Sequence, residues 1–541
     1  MTSHESFVVV AEAAIDDLFR LCPDAATRVG EHRYDDRLPD RSEAGVRELA
    51  RTMRAHRDAL DGVDVAELDV QERVDAAILR NALSRVLFIA EESRDHEWDV
   101  LSHNVGDPLY LLMSRDTVPL EQRVHGIAGR LAAVPDFLAT ARRTVTRSPL
   151  VHAETALAQL PGVRGIVTTE LDRMLAGDTS LTALVTEPRA AALAALDEHE
   201  AWLRELASTA DSDPRLGAEL YSKKLPLVLD SPLSAGQVLE LAWQNLETQT
   251  VLLHEAARAF LADNGEPTTG ERDELIRRAL DLVARDAPTN DTVLSVCEQA
   301  LVEATEEVRR LGMVTVPDDP MRIEVMPEFR RGVAVAYCDS PGALETGGVA
   351  YVAVSPTPAD WSPDRVASFY REYNCAQLRN LMIHEAMPGH MLQIAHARRF
   401  RGSTRVRPVF GSGSFIEGWA VQVERMLAEA GFGGLPIRMQ QLKMQLRSTI
   451  NAILDAGVHA GGMTEAEAMD LMTRRGFQEE GEAVGKWRRA LLTSGQLSTY
   501  FVGFTELTDV LGGLKPERSL DDVLAHGNPS PRHLPALLGQ V

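Results

Sequence analysis

Through almost all of residues 5 to 315, apolar residues recur every three to four positions, a period that only an α-helix turns into one buried face. ERVDAAILRNALSRVLFIAEE and RAAALAALDEHEAWLRELA are clear cases. Breaks come from Pro and Gly clusters such as Asn104-Val-Gly-Asp-Pro108, Leu160-Pro-Gly162 and Asp230-Ser-Pro232. No low-complexity linker separates independent bodies, and no internal repeat is visible. The pattern predicts a large, mainly α fold: one elongated domain over 1–541, with a helical part at 1–320 and a small sheet plus the catalytic helices at 321–541. The mixed charges between Ala257 and Arg285 read as a solvated helix face.

The period changes between about 322 and 356, where RIEVMPEF, GVAVAYC and GGVAYVAVS set β-branched and aromatic residues between Pro and Gly breaks. A small sheet is expected there. It could hold an extended peptide along an edge, or be a hairpin that covers the core; both stay open.

Charge and cysteine usage narrow the partners. Against 56 Lys and Arg stand 80 Asp and Glu, a formal net charge of −24 that repels nucleic acid and anionic membrane surfaces. No apolar run reaches the ~20 residues that span a bilayer. The start, MTSHESFVVVAEAAIDDLF, lacks a basic n-region, and Glu5, Glu12, Asp16 and Asp17 interrupt it. Cys22, Cys297, Cys338 and Cys375 show no ligand spacing, which suits a reducing compartment and small buried roles. The expectation is a soluble cytoplasmic protein with no nucleic-acid or membrane partner, a homodimer being allowed.

Chemistry concentrates in His384-Glu385-Ala-Met-Pro-Gly-His390. In the familiar His-Glu-x-x-His form, residues four apart share a helical face, so both imidazoles reach one Zn²⁺ while the Glu takes a proton from the attacking water. Here the second His comes two residues late. On a regular helix, positions six apart diverge by about 120° and lie roughly 9 Å apart along the axis, too far to share a metal. Pro388 supplies the necessary bend: it has no N–H for the carbonyl of His384, and Gly389 tolerates dihedrals that other residues avoid. The helix must therefore break between Glu385 and His390. The alternative is a helix that simply ends at Pro388, leaving two ordinary histidines. One helix running from an N-cap at Ser362 through Pro363 is expected to deliver His384 and Glu385.

A catalytic zinc usually takes three protein ligands and leaves a fourth position open. Glu417 is the candidate third ligand, after Gly411-Ser-Gly-Ser414, and Glu424 lies seven residues on along the same helical face, where it could orient a histidine ligand. Farther along, Arg447, Asn451, Asp455 and His459 recur at four-residue spacing on a helix from about 439. Such a stripe is most often exposed. The functional reading makes His459 a donor to an oxyanion on the scissile carbonyl, with Asp455 or Arg447 fixing nearby groups and Tyr500 as a second donor. His396 reads as structural.

HEAMPGHMLQ, FIEGWAVQVE, LRSTINAILDAGVHAGGMT and GQLSTYFVGF resemble, in that order, hallmark blocks of the bacterial family known as domain of unknown function 885. The similarity covers most of the chain and is densest from about 365 to 505. That family looks like the Taq-type thermostable metallocarboxypeptidases, a helical, zincin-like body with a groove and a short sheet. The resemblance implies His384, His390 and Glu417 as ligands of one Zn²⁺ per chain and Glu385 as general base, with His459 and Tyr500 near the substrate. It departs from the Taq-type enzymes in the longer gap before the second His. The expected function is a zinc-dependent, carboxypeptidase-like hydrolase of short peptides. The alternatives are a metal-containing protein that binds a small ligand without cleaving it, and a zinc enzyme acting on a non-peptide substrate.

Overall fold

Helix starts are written in the sequence as side chains that accept a hydrogen bond from the first turn. Thr2 and Glu5 form a reciprocal capping box for α1 (Ser3–Leu21), Ser42 caps α2 (Glu43–Asp61), and Asp69 caps α3 (Val70–Phe88). α4 (Leu120–Thr144), α5 (Leu150–Gly165) and α6 (Thr179–Thr209) follow, the last capped by Asp178. The computed structural model describes residues 2–326 and 335–540.

The sequence reading sets one elongated domain with a change of character near 320. The chain divides into two compact units, and the division falls between Leu216 and Gly217. The first unit combines Met1–Leu216 with Pro341–Gly348 and Arg401–Phe410; the second holds Gly217–Ser340, Val349–Phe400 and Gly411–Val541. The reason is packing: within the second unit, α8 (Ala235–Asp263) lies along the later helix Gly434–His459, and α10 (Val293–Leu311) packs on Cys375–Glu385. α9 (Arg272–Val283) packs on α8, and α7 (Ala218–Leu229) meets the later helices Gly413–Glu429, Gly434–His459 and Thr499–Gly512.

In the first unit, α1, α2 and α3 pack on one another, and α4 and α5 pack on α6. Arg407 is fully buried and pairs through Nε with Asp75 Oδ1 at 2.5 Å, a charge pair that needs its further bonds to Gln71 to offset desolvation. His103 and His199 line one small cavity there, and His103 Nε2 and His199 Nδ1 lack hydrogen-bond partners. Burial, reinforced by the charge of Arg41 on one and Arg142 on the other, holds the two imidazoles down, to about 3 and about 4. Both are therefore neutral when folded, and their stabilisation is complete above the unfolded value of ~6.5 and is lost as pH falls through 6.5 toward 4 and 3. Thermal melts from pH 7 to pH 4 should show a steep loss that shrinks by a few kcal/mol in a His103→Leu/His199→Leu double variant. Parallel pH profiles for the two proteins would overturn this account.

The second unit carries the three-stranded sheet, in the order β1 (Met321–Val325), β3 (Ala350–Val354), β2 (Ala336–Asp339). β1 runs parallel to β3 with Ile323 opposite Val352, and β2 runs antiparallel with Cys338 opposite the same Val352. Residues 327–334, which the predicted strands RIEVMPEF and GVAVAYC partly occupy, lie outside the described residues.

Helices resume at α11 (Pro363–Glu372), with Ser362 as N-cap and Pro363 in the first turn. The expected continuous helix to Glu385 is instead two. Asn374 interrupts it, its side chain accepting from Gln377 N at 3.1 Å and starting α12 (Cys375–Glu385) afresh. α13 (His390–Ala397), α14 (Gly413–Glu429), α15 (Gly434–His459), α16 (Glu480–Leu492) and α17 (Thr499–Gly512) complete the region of interest. Of the four cysteines, only Cys297 is fully buried, and none is in a disulfide.

Candidate metal centre

The first element of the site is the interruption between α12 and α13. α12 ends at Glu385, Ala386 leaves helical geometry at φ −124° and ψ −78°, the Met387–Pro388 peptide is cis, and α13 begins at His390. Gly389 makes the reversal sterically feasible. A Cβ at that position would stand 1.9 Å from the carbonyl oxygen of His384 and 2.3 Å from that of Ile383, well inside contact distance. Its N–H instead donates to Ile383 O at 2.9 Å. The freed carbonyl of Pro388 accepts from Trp419 Nε1 at 2.8 Å, so the fully buried indole of α14 braces the turn.

α14 is seated by a second glycine contact. Gly418 and Gly503 meet backbone to backbone, and a Cβ on Gly503 would lie 1.8 Å from Ser414 O. Only such small residues let α14 and α17 cross this closely. The crossing fixes Glu417, the neighbour of Gly418, opposite the two histidines.

His384 Nε2 and His390 Nε2 each lie 3.6 Å from Glu417 Oε2, and the three ligand atoms fall within 4.8 Å of one another. Tetrahedral Zn²⁺ with bonds of ~2.0–2.1 Å sets its ligand atoms about 3.4 Å apart, so the observed spacing fits an ion with little adjustment. At 3.6 Å the imidazoles are too far for hydrogen bonds, and Glu417 Oε2 is buried without such a partner. A cation between the three groups would satisfy all of them. The side chains of His384, His390 and Glu417 keep 12%, 11% and 21% exposure, so the centre can be reached from solvent.

Around this group the charges are strongly coupled. Burial pushes the Glu417 carboxyl up, but the imidazoles of His384 and His390 outweigh it and hold it well below the carboxylate range. Burial pushes His384 down, and Glu417 with Glu424 more than reverses this. Glu424, 2% exposed, accepts from His384 Nδ1 at 2.6 Å and from Asn380 Nδ2 at 2.6 Å, which leaves His384 Nε2 facing Glu417. Asn380 escaped sequence reasoning, although its place four residues before His384 on a buried face was the available signal. Glu385 Oε2 accepts from the backbone N–H of Cys338 on β2 at 3.1 Å, and burial raises its carboxyl despite the two histidines.

The structure divides the remaining predicted residues. Tyr500, near the start of α17, is close enough for the charges of Glu417 and His384 to act on its phenol, which burial raises above its ordinary value. His459 does not serve that site. Its Nε2 lies 2.9 Å from Ala490 O and 2.8 Å from Thr493 O, two acceptors that require it to donate there, and its ring stacks on Tyr221 with centroids 5.9 Å apart. The proton proposed for an oxyanion is committed to backbone carbonyls. The stripe is not exposed either: Asn451, Asp455 and His459 are all buried. Asp455 accepts from Gly495 N, Ser498 N and Ser498 Oγ at 2.9, 3.2 and 2.6 Å, tying down the loop that precedes Tyr500. Arg447 pairs with Glu482. His396 Nε2 donates to Thr315 O at 2.8 Å, in keeping with a structural role.

The family model described as bacterial protein of unknown function (DUF885) matches residues 23–514. Among solved structures, a candidate lipoprotein of unknown function from Shewanella oneidensis is similar over 98% of both chains, with 28% identity and a TM-score of 0.81. A candidate lipoprotein from Colwellia psychrerythraea shares the fold over 99% of both chains, with 17% identity and a TM-score of 0.81. No curated protein matches the sequence.

Proposed function

We propose that this chain, which belongs to the DUF885 family of bacterial proteins, is a zinc-dependent hydrolase of amide bonds, with short peptides as its substrate class. The observation that carries the reading is the convergence of His384 Nε2, His390 Nε2 and Glu417 Oε2 within 4.8 Å, with Glu385 next to His384 in the chain and under the charges of all three. Among the described residues no fourth His, Cys, Asp or Glu joins this group, which is the open arrangement of catalytic rather than structural zinc sites. Zn²⁺ bound there would supply a Lewis acid that polarises the scissile carbonyl and acidifies water.

The chain's own residues do the rest. Glu385 is the base: its Oε2 is held by the Cys338 N–H, its other oxygen takes the proton of the attacking water, and burial raises its affinity for that proton. Glu424 keeps His384 in one tautomer and one orientation. Tyr500 is the donor to the developing oxyanion, a task it holds without His459. β2, an outer strand of the sheet, reaches Glu385 through Cys338, which favours an extended substrate lying along that edge. A carboxypeptidase-like mode is the form of hydrolysis this reading favours.

The lipoprotein descriptions of the Shewanella and Colwellia proteins favour a place outside the cytosol for this fold, in contrast to the cytoplasmic expectation. No helix among the described residues is long and apolar enough to cross a membrane. Digestion of a mixed short-peptide library by zinc-loaded protein tests the function: cleavage that stops on chelation and returns with Zn²⁺ is expected, and an untouched library would refute the peptide assignment.

A further inference from the structure

Next to Tyr500, α15 and α16 bring together a second group of charges that the proposed chemistry does not use. Lys443 Nζ pairs with Glu372 Oε2 at 2.8 Å, and Arg447 pairs with Glu482, whose other oxygen accepts from Tyr373 OH at 3.1 Å. Both carboxylates are thereby engaged. Lys486 and Arg489, one turn apart on α16, have no acidic partner at ion-pair distance among the described residues. Lys486 is only 5% exposed. Burial, then the positive charges of Arg447 and Arg489, push its ammonium well down against the weaker opposing pull of the Glu482 and Glu372 carboxylates. Among the described residues Arg489 Nη2 meets neutral groups, Gln496 Oε1 at 2.8 Å and Tyr500 OH at 3.5 Å.

Among the described residues this group sets four basic side chains, Lys443, Arg447, Lys486 and Arg489, against the two carboxylates Glu372 and Glu482, which leaves it a surplus of positive charge beside Tyr500. An uncompensated buried charge is costly, and a bound anion would remove the cost. We propose that Lys486 and Arg489, with Gln496 and Tyr500 as neutral neighbours, form a subsite for a substrate carboxylate adjoining the metal centre. The ligand class follows from the donors: the planar fork of Arg489 matches the two oxygens of a carboxylate, and Lys486 adds a single nitrogen beside it. Through Tyr500 the subsite adjoins the metal triad, so the hydrolase would take substrates whose free carboxylate lies close to the scissile bond. This inference rests on the hydrolase reading for its substrate, though not for its binding.

Two arms separate those dependencies. In the first, zinc-loaded full-length protein is offered N-blocked dipeptides with either a free C-terminal carboxylate or a C-terminal amide. The free acids should be cleaved at least tenfold faster, and Arg489→Ala should cost on the order of 100-fold on the acids, chiefly in KM, with a loss on the amides about tenfold smaller that comes through its contact with Tyr500. Arg489→Lys should recover part of the loss. Equal cleavage of acids and amides, or a preference that survives Arg489→Ala, overturns the subsite. In the second arm, N-acetylglycine, N-acetylglycinamide and inorganic phosphate are titrated into the same protein and the melting temperature is read. Stabilisation by N-acetylglycine alone, absent in Arg489→Ala and in Lys486→Met, supports the subsite even if no peptide is cleaved. Stabilisation by phosphate alone, or by none of the three, overturns it.

Discussion

Changing Glu385 to glutamine is expected to lower peptide turnover by roughly 10²- to 10⁴-fold while zinc content stays at the wild-type level. The substitution preserves shape, and the amide oxygen can still accept from the Cys338 N–H, so the contact between β2 and the end of α12 is retained. What is lost is proton affinity. Melting temperature should hold or rise, because a half-enclosed carboxylate facing Glu417 is replaced by a neutral group. A variant that binds zinc and hydrolyses at the normal rate removes Glu385 from the mechanism. One that loses zinc as well makes Glu385 part of the ligand geometry instead.

The second large effect is mechanical. Gly389→Ala places a methyl group where only 1.9 Å separates the Cβ position from the carbonyl oxygen of His384, so the turn between the two histidines has to open. The expected cost is on the order of 3 kcal/mol or more of stability, together with a large drop in zinc affinity as His390 moves away from His384 and Glu417. Thermal melts and zinc titration measure the two separately. Unchanged values in both would mean that the turn has slack which the backbone contacts do not suggest.

Local chemistry explains why the turn was readable in the sequence. Pro388 lacks a donor and Gly389 lacks a Cβ, and both properties act within a few residues, so the break between Glu385 and His390 followed without any knowledge of tertiary structure. Glu417 and Glu424 were legible for a related reason: two carboxylates on an otherwise apolar helical face need partners. The stripe from Arg447 to His459 misled because spacing shows that residues share a face and is silent on what that face meets. Here it meets the carbonyls of Ala490 in α16 and Thr493 just after it, the loop before Tyr500, and Glu482. The break at Asn374 is a competition that period alone does not decide, since an Asn inside an amphipathic run can either project outward or cap a new helix. The division at Leu216 and Gly217, and the surplus charge of Lys486 and Arg489, depend on contacts between residues far apart in sequence.

The central claim is that His384, His390 and Glu417 hold one metal ion. Elemental analysis of the full-length protein after zinc loading and removal of free ion tests it most directly, alongside Glu417→Ala and His390→Ala. One zinc per chain in the parent and close to none in folded samples of either variant is the predicted result. A parent chain that retains no zinc, or variants that retain it in full, would contradict the account.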